Sequence, residues 1–97
     1  MSLEQQLQTL ATQAHDKLLS QYGTLTNTCD LAASEMAQLL KQHDIEYLTI
    51  HGSFINENGE EGHIWVMVDD FIVDPTVSQF GDYPMVIKLE DTEHYMD

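Results

Sequence analysis

The chain carries near its middle the stretch Gly62-His63-Ile64-Trp65-Val66-Met67-Val68-Asp69-Asp70-Phe71-Ile72-Val73-Asp74-Pro75-Thr76. Residues 63–68 and 71–74 are rich in β-branched and aromatic side chains, a composition that is typical of strands. Asp69-Asp70 between them predicts a two-residue turn, and Pro75 ends the second run. The stretch therefore predicts a tight antiparallel hairpin.

The hairpin brings three side chains of interest to one face. With a two-residue turn, Trp65 lies opposite Asp74, and residues two apart on a strand share a face. His63 is then a diagonal cross-strand neighbour of Asp74. We expect the carboxylate to hold the imidazole in one tautomer and to support its positive charge, with the indole shielding the pair from water. The structural alternative is a solvated histidine at a strand end and an Asp-Pro pair that opens a turn.

Two helices are predicted ahead of this hairpin. Residues 3–20 repeat apolar side chains in steps of three and four, and Tyr22-Gly23 ends the helix. Asn27 or Thr28 is expected to cap a second helix, which runs to about residues 42–44. The two helices are therefore joined by a short polar link.

Two further strands are predicted, at residues 47–55 and 83–89, and residues 56–62 are expected to form a polar turn. The fold class is α+β, with two N-terminal helices packed on one face of a three- to four-stranded antiparallel sheet. A chain of 97 residues is expected to form one domain, residues 1–97, with a frayed end at 91–97.

The single cysteine, Cys29, falls in the first turn of the second predicted helix. Unpaired backbone N–H groups and the positive end of the helix dipole favour a thiolate there, and the same groups can stabilise an oxyanion. Along the chain, Cys29, His63 and Asp74 have the order of a nucleophile, a base and an orienting carboxylate. The structural alternative for Cys29 is a small buried hydrophobic residue.

The composition narrows the range of partners. The formal net charge is −14, from 17 acidic and 3 basic side chains. Nucleic acids and anionic membranes are bound through clustered Lys and Arg, so we expect neither as a partner. A single cysteine cannot form an internal disulfide, which favours a reducing compartment, and we expect a cytoplasmic protein.

Three runs of the sequence resemble the papain-like and transglutaminase-like cysteine enzymes, most closely the compact bacterial and phage versions of that fold. They are Asn27-Thr28-Cys29-Asp30-Leu31-Ala32-Ala33, Gly62-His63-Ile64-Trp65-Val66-Met67-Val68, and Ile72-Val73-Asp74-Pro75-Thr76 with Gln79-Phe80. The resemblance covers about residues 20–80. It implies a cysteine that opens a helix packed on an antiparallel sheet, with histidine and aspartate on neighbouring strands.

By this resemblance Cys29 is the nucleophile, His63 the general base and acid, and Asp74 the orienting group. The implied function is a cysteine-dependent hydrolase or acyl transferase that acts on amide bonds of a protein or peptide through a thioester. Peptidase, glutamine deamidase and transglutaminase chemistry all fit, and the negative charge would favour a substrate with basic residues. The alternative is a non-catalytic acidic binding or antagonist protein that kept the fold and covers a basic surface.

We expect no cofactor and no metal. Cys29, His51 and His63 offer ligand atoms that zinc accepts, but their spacing fits no compact zinc motif. The sequence does not fix the oligomeric state, since the predicted strand at 83–89 could pair across a two-fold axis.

Overall fold

The computed structural model describes residues 2–97, which form two helices and a five-stranded antiparallel sheet of strand order β4-β3-β2-β1-β5. The elements are α1 (Leu3–Tyr22), α2 (Cys29–Gln42), β1 (Leu48–Asn56), β2 (Gly59–Val68), β3 (Phe71–Val73), β4 (Val86–Lys88) and β5 (Tyr95–Met96), with 3-10 turns at Val77–Phe80 and Leu89–Asp91. The predicted α+β class is confirmed. The predicted strand count is wrong, because the sheet has five strands rather than three or four.

The additional strand lies in the segment that was expected to fray. In β5, Tyr95 pairs with Phe54 and Met96 with Ser53, which adds the strand to the free edge of β1. Two residues are too few to show the alternation by which a strand is recognised in a sequence. The pairing with β1, which is distant in the chain, is what orders this segment.

The β1–β2 hairpin is longer than predicted. Asn56 pairs with Gly59, so the turn consists of residues 57–58 alone and β2 begins at Gly59 rather than at His63. Glu60 and Glu61 at this end are exposed, and polar residues of this kind are typical of a loop. The ladder of backbone hydrogen bonds nevertheless continues through them.

The helices begin and end as their sequences indicate. Ser2 and Gln5 form a capping box at the start of α1, and Gly23 ends that helix in the left-handed conformation at a φ of 69°. The apolar stripes of α1 and α2 then pack on one face of the sheet. The buried cluster formed in this way contains Leu7, Leu10, Ala11, Ala14, Ala33, Met36, Leu40, Val66, Val68, Phe71, Val73 and Val86. Within residues 2–97, neither helix is long and apolar enough to cross a membrane.

The sheet presents two different faces. Val66 and Val73 are directly paired and belong to the cluster against the helices. Because side chains alternate along a strand, His63 and Trp65 project from the opposite face of β2. That second face carries the polar and aromatic groups of the candidate site.

Candidate active site

The predicted hairpin register is confirmed. Val66 pairs with Val73 and Val68 with Phe71, which leaves Asp69-Asp70 as the two-residue turn and, continued by one step, places Trp65 opposite Asp74. His63 Nε2 lies 2.7 Å from Asp74 Oδ2, and both side chains are 1% exposed. The structure therefore brings together two of the three predicted site residues in a short, buried contact.

The carboxylate of Asp74 is fully satisfied by hydrogen bonds. Oδ2 accepts from His63 and from the hydroxyl of Tyr95, and Oδ1 accepts from the backbone N–H and the hydroxyl of Thr76, each over 3.3 Å. All four partners of this buried carboxylate are donors, which matches a group that only accepts hydrogen bonds. An ionised carboxylate only accepts hydrogen bonds, so Nε2 of His63 carries the hydrogen and Nδ1 of the neutral ring keeps a lone pair.

Nδ1 of His63 is the nitrogen left for chemistry. It takes part in no hydrogen bond among the residues that the structure describes. In the same part of the chain, no side-chain nitrogen or oxygen is both fully buried and without a partner. Nδ1 is therefore slightly exposed to solvent, as is required of a base that exchanges protons with a substrate.

Aromatic rings surround the imidazole. The ring centroid of His63 lies 4.9 Å from that of Phe80, 6.1 Å from Trp65 and 6.3 Å from Phe54. Trp65 is 3% exposed. Water is largely excluded from this side of the pair, which strengthens the attraction between an imidazolium and the Asp74 carboxylate.

Tyr95 is a member of the site that the sequence did not indicate. Its hydroxyl donates to Asp74 Oδ2 over 2.7 Å. Burial, together with the charge of Asp74 and this hydrogen bond, raises the pKa of Tyr95 far above its ordinary value. The phenol therefore stays protonated at neutral pH and acts as a hydrogen-bond donor to Asp74. No local pattern in the sequence marks this tyrosine, because its role depends on the pairing of β5 with β1.

Cys29 is the first residue of α2 and is half-buried. A turn over residues 25–28 leads into the helix, with Asn27 in the left-handed conformation at a φ of 60°. Thr28 occupies the N-cap position, but its hydroxyl donates to the carbonyl of Leu25 over 2.7 Å and makes no capping bond to the helix. The predicted side-chain cap is thus absent at residue 28, and the N–H groups of the first turn are not bonded by it.

Cys29 and His63 line the same open cleft, which has a volume of about 580 Å³. The cleft is lined by Cys29, His51, Gly52, Ser53, Gly62, His63, Ile64, Met96 and Asp97. A Cβ atom at Gly62 would meet nothing within 4 Å, so the space beside His63 is unfilled on the helix side of β2. No hydrogen bond among the described residues joins Cys29 to His63. Cys29 borders this cleft from the helix side of the sheet, whereas the imidazole of His63 projects from the opposite face toward Asp74, so the structure does not bring the thiol to the His63–Asp74 pair.

The remaining histidines have different environments. His51 is exposed at the rim of the cleft. His94, which lies in the segment that was expected to fray, is half-buried, and its Nδ1 lies 2.7 Å from the carbonyl oxygen of Ile55. Within residues 2–97, no group of three or more His, Cys, Asp or Glu side chains is arranged to hold a metal ion. The zinc alternative of Cys29, His51 and His63 therefore gains no support from the geometry.

Comparisons with models of known protein families, with curated proteins and with solved structures give no match to this chain. The case for a function therefore depends on the side chains themselves.

Proposed function

We propose that this protein is a cysteine-dependent hydrolase or acyl transferase that acts on amide bonds, with Cys29 as nucleophile, His63 as general base and acid, and Asp74 as orienting carboxylate. The observation that carries the proposal is the buried His63–Asp74 contact of 2.7 Å. This contact fixes the imidazole and leaves Nδ1 free to act as a base. The strand that carries His63 also borders the cleft of Cys29, the only cysteine in the chain.

The proposed reaction follows from these positions. Nδ1 of His63 takes the proton of the Cys29 thiol, and the sulfur attacks the carbonyl carbon of an amide. Uncapped N–H groups in the first turn of α2 stabilise the oxyanion. The imidazolium then protonates the departing amine, and a thioester remains on Cys29 until water or a second amine releases the acyl group.

The step that the proposal requires is an approach of the thiol to Nδ1. A base and a nucleophile act together at about 3 to 4 Å, and such contacts often tighten only when a substrate is bound. α2 packs on one face of the sheet and the His63 ring projects from the other, so this approach requires the start of α2 or this end of β2 to move. The space around Gly62 is open to such a movement, since an added Cβ atom there would meet nothing within 4 Å.

The proposal includes the fold: we propose that the chain has a papain-like or transglutaminase-like core. In support, the cysteine opens a helix that packs on an antiparallel sheet, and the histidine and the aspartate come from a strand and the end of its neighbour. Peptidase, deamidase and transglutaminase activities share this chemistry. They differ in the group that accepts or leaves with the acyl chain.

Alkylation of Cys29 tests the proposal without a known substrate. An ordinary cysteine is only about 1% thiolate at about pH 6.5. We expect iodoacetamide to modify the wild-type protein about tenfold faster than His63→Ala at that pH, with the difference lost at alkaline pH. Intact mass measures the rate, because the chain has one cysteine. His51→Ala removes another histidine of the same cleft and should react like the wild type.

Equal rates for the wild type and His63→Ala would contradict the proposal. If the rates differ as expected, peptides that contain glutamine and lysine separate the three activities. Cleavage indicates a peptidase, ammonia release without cleavage a deamidase, and incorporation of an added amine a transglutaminase.

A second candidate is the acidic binding protein. Among residues 2–97, the close contacts between basic and acidic side chains are Lys17–Glu35 and the two histidine contacts His15–Asp16 and His63–Asp74, so most of the acidic side chains have no cationic partner in the fold. Such a surface attracts a basic partner over long range, and salt weakens the attraction. Binding of an oligolysine peptide that falls steeply with salt and is unchanged in Cys29→Ser would favour this candidate over the enzyme.

A further inference from the structure

Tyr95 and His63 donate to the same oxygen of one carboxylate. The hydroxyl of Tyr95 and Nε2 of His63 both lie 2.7 Å from Asp74 Oδ2. Two donors on one acceptor oxygen divide its electron density between them, so the hydrogen bond to the imidazole depends on the one to the phenol.

The fold holds Tyr95 firmly in this position. Its backbone pairs with that of Phe54, and just before it the N–H of Ile55 donates to the carbonyl of His94 over 2.8 Å. The centroid of its ring lies 4.9 Å from that of Trp65 and 5.2 Å from that of Phe54, and both pairs are edge-to-face. The hydroxyl can therefore reach Asp74 with little freedom to turn elsewhere.

We propose that Tyr95 is a positioning residue of the site: by sharing Asp74 Oδ2 with His63, it orients the carboxylate and moderates how strongly that carboxylate holds the protonated imidazole. The catalytic consequence rests on the function proposed above, whereas the effect on His63 does not.

The reason is electrostatic. In Tyr95→Phe, Oδ2 loses a donor, and its charge falls more fully on the imidazole N–H. The imidazolium is then more strongly stabilised. Asp74 keeps the two hydrogen bonds from Thr76 on its other oxygen, so the carboxylate remains satisfied. An excessively stabilised imidazolium would return its proton to a leaving amine less readily.

Few other titratable groups face this network. Asp74 meets His63 from β2 and Tyr95 from β5. Cys29, His51 and Asp97 share the cleft bordered by His63. Tyr95 also lines a cavity of about 450 Å³, together with Tyr83, Glu90, Asp91, Glu93 and His94. Tyr95→Phe leaves all of these groups in place.

The test is an NMR titration of the His63 ring in the wild type, Tyr95→Phe and Tyr83→Phe, with the signals assigned by their loss in His63→Gln. We expect the change of the His63 signals to occur about one pH unit higher in Tyr95→Phe, the size of one hydrogen bond to a charged group. Tyr83→Phe removes a neighbouring hydroxyl that does not touch Asp74 and should titrate like the wild type. A Tyr95→Phe curve that coincides with the wild type or moves to lower pH would overturn the inference.

Two further measurements separate the possible failures. In the unmodified protein, a slowly exchanging hydroxyl proton of Tyr95 should be visible beside the Nε2 proton of His63, and absence of that hydroxyl signal counts against the inference whether or not the variant folds. In Tyr95→Phe, alkylation of Cys29 should rise at lower pH than in the wild type. If Cys29 is alkylated at the same rate in the wild type and in His63→Ala, the enzymatic proposal fails. The His63 titration then still decides the role of Tyr95.

Discussion

Gly52 of β1 lies directly against the indole of Trp65 on β2: a Cβ atom at residue 52 would stand 2.7 Å from Cη2 of that ring. The same atom would collide with the carbonyl oxygen of Met96 and would lie 2.8 Å from Cα of Asp97. The missing side chain at Gly52 therefore lets β5 and Trp65 approach each other on the face that carries His63 and Asp74.

Gly52→Ala should be destabilising, since neither a backbone oxygen nor a buried indole can move away without cost. We expect the free energy of unfolding to fall by about 1–3 kcal/mol, and the melting temperature by roughly 5–20 °C. Gly62→Ala is the matched control on the neighbouring strand. A Cβ atom there meets nothing within 4 Å, so thermal unfolding should be nearly unchanged. Equal melting temperatures for both variants would contradict this account.

Tyr95 should make the protein sensitive to alkali. Its pKa is raised in the folded state by burial and by Asp74. The resulting stability is complete below about pH 10, the value for an unfolded tyrosine, and is lost as pH rises above it. We expect the free energy of unfolding to fall by about 1.4 kcal/mol per pH unit in that range from this residue alone.

Melting curves recorded at increasing pH check this expectation. Tyr95→Phe should lack the loss of unfolding free energy that ionisation of Tyr95 causes above about pH 10, although the variant is less stable than the wild type near neutral pH. Tyr22→Phe removes a tyrosine that is 51% exposed and should follow the wild type. A decline of the same slope in Tyr95→Phe would show that other groups cause it.

Asp74 should be the most sensitive polar residue of the domain. Asp74→Ala leaves His63, Tyr95 and both donors of Thr76 without their buried acceptor. We expect a loss of about 3–5 kcal/mol in the free energy of unfolding, measured with urea. Asp82→Ala, at an exposed loop position, should change it by less than about 0.5 kcal/mol. Comparable values for the two variants would refute the role given to the buried network.

Ser2 should contribute to the stability of α1. Its hydroxyl accepts from the N–H of Gln5 over 3.2 Å, and the side chain of Gln5 accepts from the N–H of Ser2 over 3.1 Å. Ser2→Ala is expected to cost about 1 kcal/mol, seen as a lower urea midpoint with an unchanged slope. Ser20→Ala, an exposed substitution inside the same helix, should be neutral or slightly stabilising. A midpoint for Ser2→Ala at the wild-type value would mean that this cap is frayed in solution.

The parts of the site that follow local rules could be predicted from the sequence. A two-residue turn at Asp69-Asp70 and the alternation of side chains are sufficient to place His63 and Asp74 on one face. Glycine after Tyr22 is sufficient to end α1. The capping bond expected at Thr28 does not form, because a nearer acceptor, the carbonyl of Leu25, takes its hydroxyl proton.

The amino-acid sequence is sufficient to predict the α+β class, the two helices, the β2–β3 register and hence the meeting of His63 with Asp74, because each of these depends on patterns within one short stretch of the chain. Three other features are visible only in the folded molecule: Tyr95 completes the partners of the Asp74 carboxylate, Gly52 admits the fifth strand, and Cys29 borders the same cleft as His63. These contacts join segments about 20 to 45 residues apart. Their formation depends on how the helices and the sheet pack as a whole, which no local pattern of residues encodes.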